Sequence, residues 1–325
     1  MKRLDFAKTM AILTASLFSA GTAFATDWDM PTPYPDKTFH TANIIQFAND
    51  VKEATSGELN ITVHSAGSLI KHPEIKNAVR SNQVAIGEFF LSRLSNEDAA
   101  YGVDSQPFVA TSYDQAGKLW SAQKPVIETL LAKQNLMPLF SVPWPPQGLY
   151  TKNEITATDD LKGLKFRAYN ASLELFAKLA GAAPTQVEAP DIPQAFSTGQ
   201  VEAMITSPST GVNTKAWDFV DFYSPINAWV PKNIVVVNKK AFDGLSESVQ
   251  ASVLEAAANA EDRGWEMSKE ETATKTDDLQ SNGMSVVTPS ETLMTGLQEI
   301  GAKMQEDWNA SASDEAKTIL DAYAQ

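Results

Sequence analysis

The sequence predicts an α/β fold in two lobes, with a cleft between them and a long helix bridging both. Three observations predict it. Helix and strand patterns alternate along the chain, two segments dense in proline and tryptophan (143–148 and 228–233) read as crossings between lobes, and one helical pattern runs over 246–281. Once the export leader described below is set aside, 300 residues remain, more than a single apolar core usually organises.

The elements follow in order. Residues 39–56 put Ile44, Phe47, Ala48 and Val51 on one helical face and end at Gly57; residues 59–64 alternate as a strand. A helix over 73–81 and a buried strand over 84–90 come next. Residues 113–133 form a helix with Leu119, Trp120, Val126, Leu130 and Leu131 inward, followed by a strand over 137–142. PWPPQG at 143–148 is a stiff crossing, because proline fixes φ and has no N–H to give a ladder. A strand resumes at 148–151, and a second crossing containing Trp229 and Pro231 leads back to the apolar strand 234–237. In the long pattern Ser246 is the N-cap and Gly283 the stop, with Val249, Val253, Leu254, Ala257, Ala260, Trp265 and Met267 supplying apolar spacing. Gly264 marks a bend or weak point there, and two helices broken at it are the alternative. The division expected is 26–146 with 234–262 in lobe I and 147–233 with 263–325 in lobe II, the helix over about 246–281 spanning both.

The N-terminus carries Lys2, Arg3 and Lys8, then an apolar run over 10–20 and the small-x-small triplet Ala23, Phe24, Ala25. This is a cleavable export signal, residues 1–25, too short in its apolar part for the ~20 residues a spanning helix needs. The expected location is the periplasm. The leader has three cations and one anion, so its removal takes the formal charge from −14 to −16. Such a chain lacks the clustered lysine and arginine that nucleic acid demands. Without cysteine it has no disulfide, thiolate nucleophile or sulfur-ligated metal.

Against that negative background, Arg167 stands out. It lies in the strand-like run LKFRAY, where alternation sends Leu164, Phe166 and Ala168 one way and Lys165, Arg167 and Tyr169 the other. A guanidinium fixed on a strand presents a planar fork suited to a carboxylate; an ordinary structural salt bridge is the alternative.

Asp160 to Arg167 reads D-L-K-G-L-K-F-R. It resembles the strand of the solute-binding subunit of tripartite ATP-independent periplasmic (TRAP) transporters, whose arginine clamps the substrate carboxylate. Ala183–Pro184, Phe196 and Thr198 to Ala203 continue the resemblance, which extends from about Asp29 to the C-terminus. It implies a type II-like periplasmic-binding-protein fold, the clamp role for Arg167, and an ion-coupled integral membrane partner. One departure matters. Many members carry a Q-E-N-P-like string whose asparagine assists the clamp, whereas this chain has Met204, Ile205, Thr206, Ser207 and Pro208. Thr206 and Ser207 stand where that donor would be, which counts against the common C4-dicarboxylate ligand.

The other candidates are weighed residue by residue. Trp144 and Trp229 lie in the crossings and either wall the cleft or pack in the core. Tyr34 and Phe39 fall where the resemblance puts a ligand-facing loop, while His40 is either a donor there or a polar residue at a helix start. Glu88 interrupts an apolar strand and needs a partner: a ligand hydroxyl, Arg167, or a structural bridge to Arg93 or Lys71. Gln147, Tyr169 and Asn170 flank the crossing and the arginine strand as secondary contacts.

Enzymatic constellations are weak. His40, His64 and His72 make no H-E-x-x-H pattern, there is no P-loop, G-x-S-x-G elbow or G-x-G-x-x-G turn, and Glu188 with Asp191 reads as the acidic start of a helix. The expectation is a monomeric receptor, not an enzyme, with no cofactor or metal. It captures a small organic acid, an aromatic or hydroxy monocarboxylate ahead of a C4-dicarboxylate or sugar acid, and delivers it to the membrane transporter subunits. A secreted hydrolase of acidic substrates and a ligand-sensing receptor are the alternatives.

Overall fold

The computed structural model describes residues 25–324, so the expected leader lies outside the described residues but for Ala25. Lobe I opens with β1 (Thr26–Pro31), α1 (Phe39–Ala54), β2 (Leu59–His64), α2 (His72–Arg80), β3 (Ile86–Phe90), α3 (Tyr113–Ala132) and β4 (Leu136–Pro143). Lobe II contributes β5 (Gly148–Thr151), β6 (Lys165–Ala168), α4 (Ala171–Leu179), β7 (Ala183–Gln186), α5 (Ile192–Ser197), β8 (Ala203–Thr206), α6 (Pro208–Asn213) and β9 (Phe222–Ser224). The chain then returns through β10 (Lys232–Asn238) and α7 (Lys239–Asp243) and closes with α8 (Glu247–Ser281), β11 (Ser285–Val286), α9 (Glu291–Ser311) and α10 (Asp314–Tyr323).

In lobe I, β10 lies between β3 and β4, antiparallel to both, while β1 and β2 pair in parallel alongside. Every residue of β10 is buried, because both sheet faces are covered. Ile234 and Val236 enter one apolar cluster with Leu119 and Trp120; Val235 and Val237 enter another with Phe47 and Val253. Lobe II is a six-stranded mixed sheet in the order β11-β9-β5-β8-β6-β7. Leu149 and Ile205 face one cluster, Tyr150 and Met204 the other.

The two crossings run side by side. Trp144 N donates to Pro231 O at 2.8 Å, Gln147 N to Trp229 O at 3.0 Å, and Ala228 N to Gln147 O at 3.0 Å. Proline-rich segments thus still satisfy their buried backbone groups, by pairing with each other.

Helix α8 is continuous through Gly264, contrary to the expected weak point. Its N-terminal part packs on α1 and β4, and it also meets α6 and β11 of lobe II. A Cβ at position 264 would sit 2.4 Å from Val142 Cγ2 and 2.8 Å from Asn43 Nδ2, so glycine here serves close approach of helix to sheet. The expected membership of 263–325 in lobe II fails at its end. Helix α10 packs on α3, and Trp308, Ala312, Ala316 and Ile319 join the lobe I cluster around Trp120, because their apolar stripe meets an apolar face there. Among the described residues, no helix is long and apolar enough to cross a membrane.

Candidate ligand-binding site

A pocket lies where the lobes meet, its empty space about 420 Å³ with the part open to solvent included. Lobe I supplies Tyr34 from the loop after β1, His72 at the start of α2, Phe90 at the end of β3, and Arg93 from the turn that follows. The first crossing adds Trp144 and Gln147. Lobe II closes the pocket with Arg167, Tyr169, Glu188, Ala189, Thr206, Ser207 and Thr210.

Arg167 arrives by strand alternation: Phe166 and Ala168 join the lobe II core, and Arg167 points the other way. It is only 3% exposed. Its Nε donates to Val187 O at 3.0 Å and its guanidinium carbon sits 4.9 Å from the Tyr169 ring centroid, yet it forms no salt bridge with a described residue. Burial pulls its pKa down to about 10, even with the tyrosines and Glu188 favouring the charge. A guanidinium remains protonated under these conditions, so this is a desolvated cation lacking a direct anionic partner.

Arg93 differs. Its NH1 donates to Glu188 Oε1 at 2.9 Å and to Tyr169 O at 3.2 Å. The second Glu188 oxygen lies 3.1 Å from His72 Nδ1, and Phe90 N donates to His72 Nε2 at 3.1 Å. That backbone donor requires a lone pair on Nε2, so His72 is neutral with its proton on Nδ1. Burial, which holds the His72 pKa down, agrees. Burial raises the Glu188 pKa, but the His72 hydrogen bond and the charges of Arg93 and Arg167 outweigh it and hold the group below the usual carboxylate range. Arg93 and His72 belong to lobe I and Glu188 to lobe II, so these bonds join the lobes across the cleft. Asn170 Nδ2 to Ser92 Oγ, at 2.7 Å, is a further bond of this kind.

A profile of the family described as bacterial extracellular solute-binding protein, family 7, matches residues 32–314. The chain belongs to this DctP family of TRAP solute-binding proteins. This DctP-family protein is similar to a solved extracytoplasmic solute receptor of Bordetella pertussis that binds pyroglutamic acid: 46% identity, TM-score 0.91, covering 93% of this chain and 100% of that one. A TRAP solute-binding protein from a marine metagenome, solved with co-purified pyroglutamate, is 42% identical with TM-score 0.90, covering 93% and 99%. The sialic acid-binding periplasmic protein of Vibrio cholerae is a more distant relative, 21% identical over 285 residues, covering 86% of this chain and 88% of that protein.

Of the residues singled out in the sequence, Tyr34, Trp144, Gln147, Arg167, Tyr169, Thr206 and Ser207 meet at this pocket; four do not line it. Phe39 packs edge-on behind Trp144 with ring centroids 5.6 Å apart. Trp229 is turned into the lobe II core and donates from Nε1 to Tyr169 OH at 3.0 Å, so it orients a wall rather than forming one. Asn170 is spent on capping α4, accepting from Leu173 N at 2.8 Å, and on Ser92.

Glu88 reaches neither Arg167, Arg93 nor Lys71. It is buried in lobe I, accepting from Thr32 Oγ1 and from Asn233 Nδ2 at 2.8 Å. His40 lies against it, Nδ1 3.5 Å from Oε1, and its ring is 4.3 Å from that of Trp144. Burial pushes Glu88 up to about 7 against those two hydrogen bonds, and keeps His40 neutral. Asn233 carries the arrangement outward: its Oδ1 accepts from Trp144 Nε1 at 2.9 Å and Tyr34 OH at 3.3 Å. Glu88 therefore anchors two pocket walls from behind. Ser207 is partly committed as the N-cap of α6, accepting from Thr210 N at 3.1 Å.

Sequence reasoning missed His72, Phe90, Ala189 and Thr210 as pocket residues, and read Arg93 and Glu188 as structural. The one available signal was Glu188 itself, an acid following strand β7 at the end where β6 delivers Arg167.

Proposed function

We propose that the protein is a periplasmic receptor for a small monocarboxylate of the pyroglutamate type, which it passes to the membrane subunits of a TRAP transporter. The observation that carries this reading is Arg167, a buried guanidinium facing the inter-lobe pocket while the other pocket cation, Arg93, is taken by Glu188. One free cation matches one carboxylate. Aromatic rings line the same pocket, Tyr34 meeting Trp144 edge-on at 5.0 Å and Phe90 meeting Tyr169 edge-on at 5.3 Å, and offer apolar walls to a compact organic body. Solved relatives at 42–46% identity that bind pyroglutamate support the same ligand class. This reading keeps the expected monocarboxylate but departs from the expected aromatic or hydroxy acid, since pyroglutamate is a saturated lactam acid and is neither. Binding rather than turnover is the activity, and the leader sequence with the family membership supports export to the periplasm.

Calorimetric titration of ligand-stripped protein with pyroglutamate, benzoate, lactate, succinate and galacturonate tests this, together with mass spectrometry of any co-purifying acid. Pyroglutamate binding most tightly is the expected result. Tight binding of succinate or galacturonate without pyroglutamate overturns it.

A further inference from the structure

We propose that Glu188 sets the charge count of the cleft: by occupying Arg93 it leaves Arg167 as the single available cation and excludes dicarboxylates. This rests on the reading of the pocket as a monocarboxylate site and says what enforces it. The geometry is two-sided. One Glu188 oxygen holds Arg93 at 2.9 Å, the other takes the Nδ1 proton of neutral His72 at 3.1 Å, so both oxygens are engaged by lobe I groups. Arg93 and Arg167 give the pocket two positive charges and Glu188 one negative, a net of one among its lining residues.

A dicarboxylate brings two negative charges to a pocket with one available cation. Its second carboxylate would have to displace Glu188 from Arg93, leaving two carboxylates crowded into a desolvated cleft, or remain unpaired beside it. A monocarboxylate bound to Arg167 leaves the Arg93–Glu188–His72 bonds intact. Exclusion is thus built from a repulsive element held in place by the bonds that join the lobes, and Glu188 acts through Arg93 as a positioning residue.

The test is the ratio of monocarboxylate to dicarboxylate affinity, with pyroglutamate and glutarate as the matched five-carbon pair. It is measured by calorimetry in wild type, Glu188→Gln, Arg93→Met and the double variant. Wild type is expected to prefer pyroglutamate at least 100-fold. Glu188→Gln frees Arg93 and should shift the ratio at least tenfold toward glutarate, and adding Arg93→Met should reverse the shift. Should Glu188→Gln not fold, Arg93→Met against the double variant still reads the effect. Glu188 then keeps only its bond from neutral His72 and no cation, and its neutralisation should recover acid binding at least tenfold. An unchanged ratio in Glu188→Gln, or a shift that survives in the double variant, overturns the proposal. If wild type instead binds another monocarboxylate, the ligand reading fails, and Glu188 is judged on the same ratio for that acid and its dicarboxylate analogue.

Discussion

Replacing Arg167 by methionine should weaken ligand binding on the order of 100-fold while leaving the ligand-free protein as stable as wild type or more so. The magnitude follows from burial. A guanidinium whose pKa falls from 12.5 to about 10 carries a penalty on its charged form of about 3 kcal/mol, at 1.36 kcal/mol per unit. Against this stands the bond from Nε to Val187 O, about 2 kcal/mol. The net is a gain of about 1 kcal/mol, or a melting temperature higher by roughly 2–4 °C. Binding moves the opposite way, since losing a charge-assisted pair of hydrogen bonds costs about 3 kcal/mol, on the order of 100-fold in affinity. The assay is urea unfolding of protein stripped of ligand by unfolding and refolding, paired with calorimetry. Bound acid must be absent, because it stabilises the wild type by mass action. A loss of about 3–5 kcal/mol in ligand-free Arg167→Met would mark a broken structural ion pair and refute the reasoning.

Three further outcomes are expected. Glu88 is raised to about 7 in the fold from 4.5, so between those values the native state holds the extra proton; stability should fall as pH rises through that window, by up to about 3 kcal/mol. Glu88→Gln should lack this fall, and parallel urea-unfolding profiles for the two proteins from pH 4 to 8 would show that Glu88 does not titrate there. Gly264→Ala should destabilise by about 1–3 kcal/mol, because the clash with Val142 and Asn43 exceeds the roughly 1 kcal/mol gained in helix propensity; a higher melting temperature would contradict it. Trp229→Phe removes the donor to Tyr169 OH and should weaken ligand binding about 2–10-fold by calorimetry, whereas unchanged affinity would show that Tyr169 is positioned without it.

What the sequence made legible was local. Alternation alone put Arg167 opposite the lobe II core, and the prolines of the two crossings marked where the chain changes lobe. Position in a crossing, however, says nothing about which side a ring takes: Trp144 turns to the pocket and Trp229 to the core. Strand parity was equally silent on depth, for Glu88 and Phe90 are two residues apart on β3 and only Phe90, at the strand end, reaches the cleft. Gly264 was read by its backbone freedom, but packing against Val142 decides its role. The Arg93–Glu188–His72 group was out of reach because its members lie 95 and 116 positions apart and meet only when the lobes do.

That meeting links binding to closure. With the lobes apart, Arg93, Glu188 and Arg167 would each be exposed to water. Bringing the lobes together desolvates all three, and the Arg93–Glu188 pair offsets its own desolvation while Arg167, with the Val187 carbonyl and the Tyr169 ring but no ion pair, offsets its share only in part. Among the described residues the pocket lining therefore carries one net positive charge, which calls for one negative partner. An acid bound at Arg167 would supply it, interact more strongly with the closed form than with an open one, and so shift the population toward closure. A neutral solute of the same shape would bring no such differential, so the protein's response to its ligand depends on the carboxylate and not on filling the pocket.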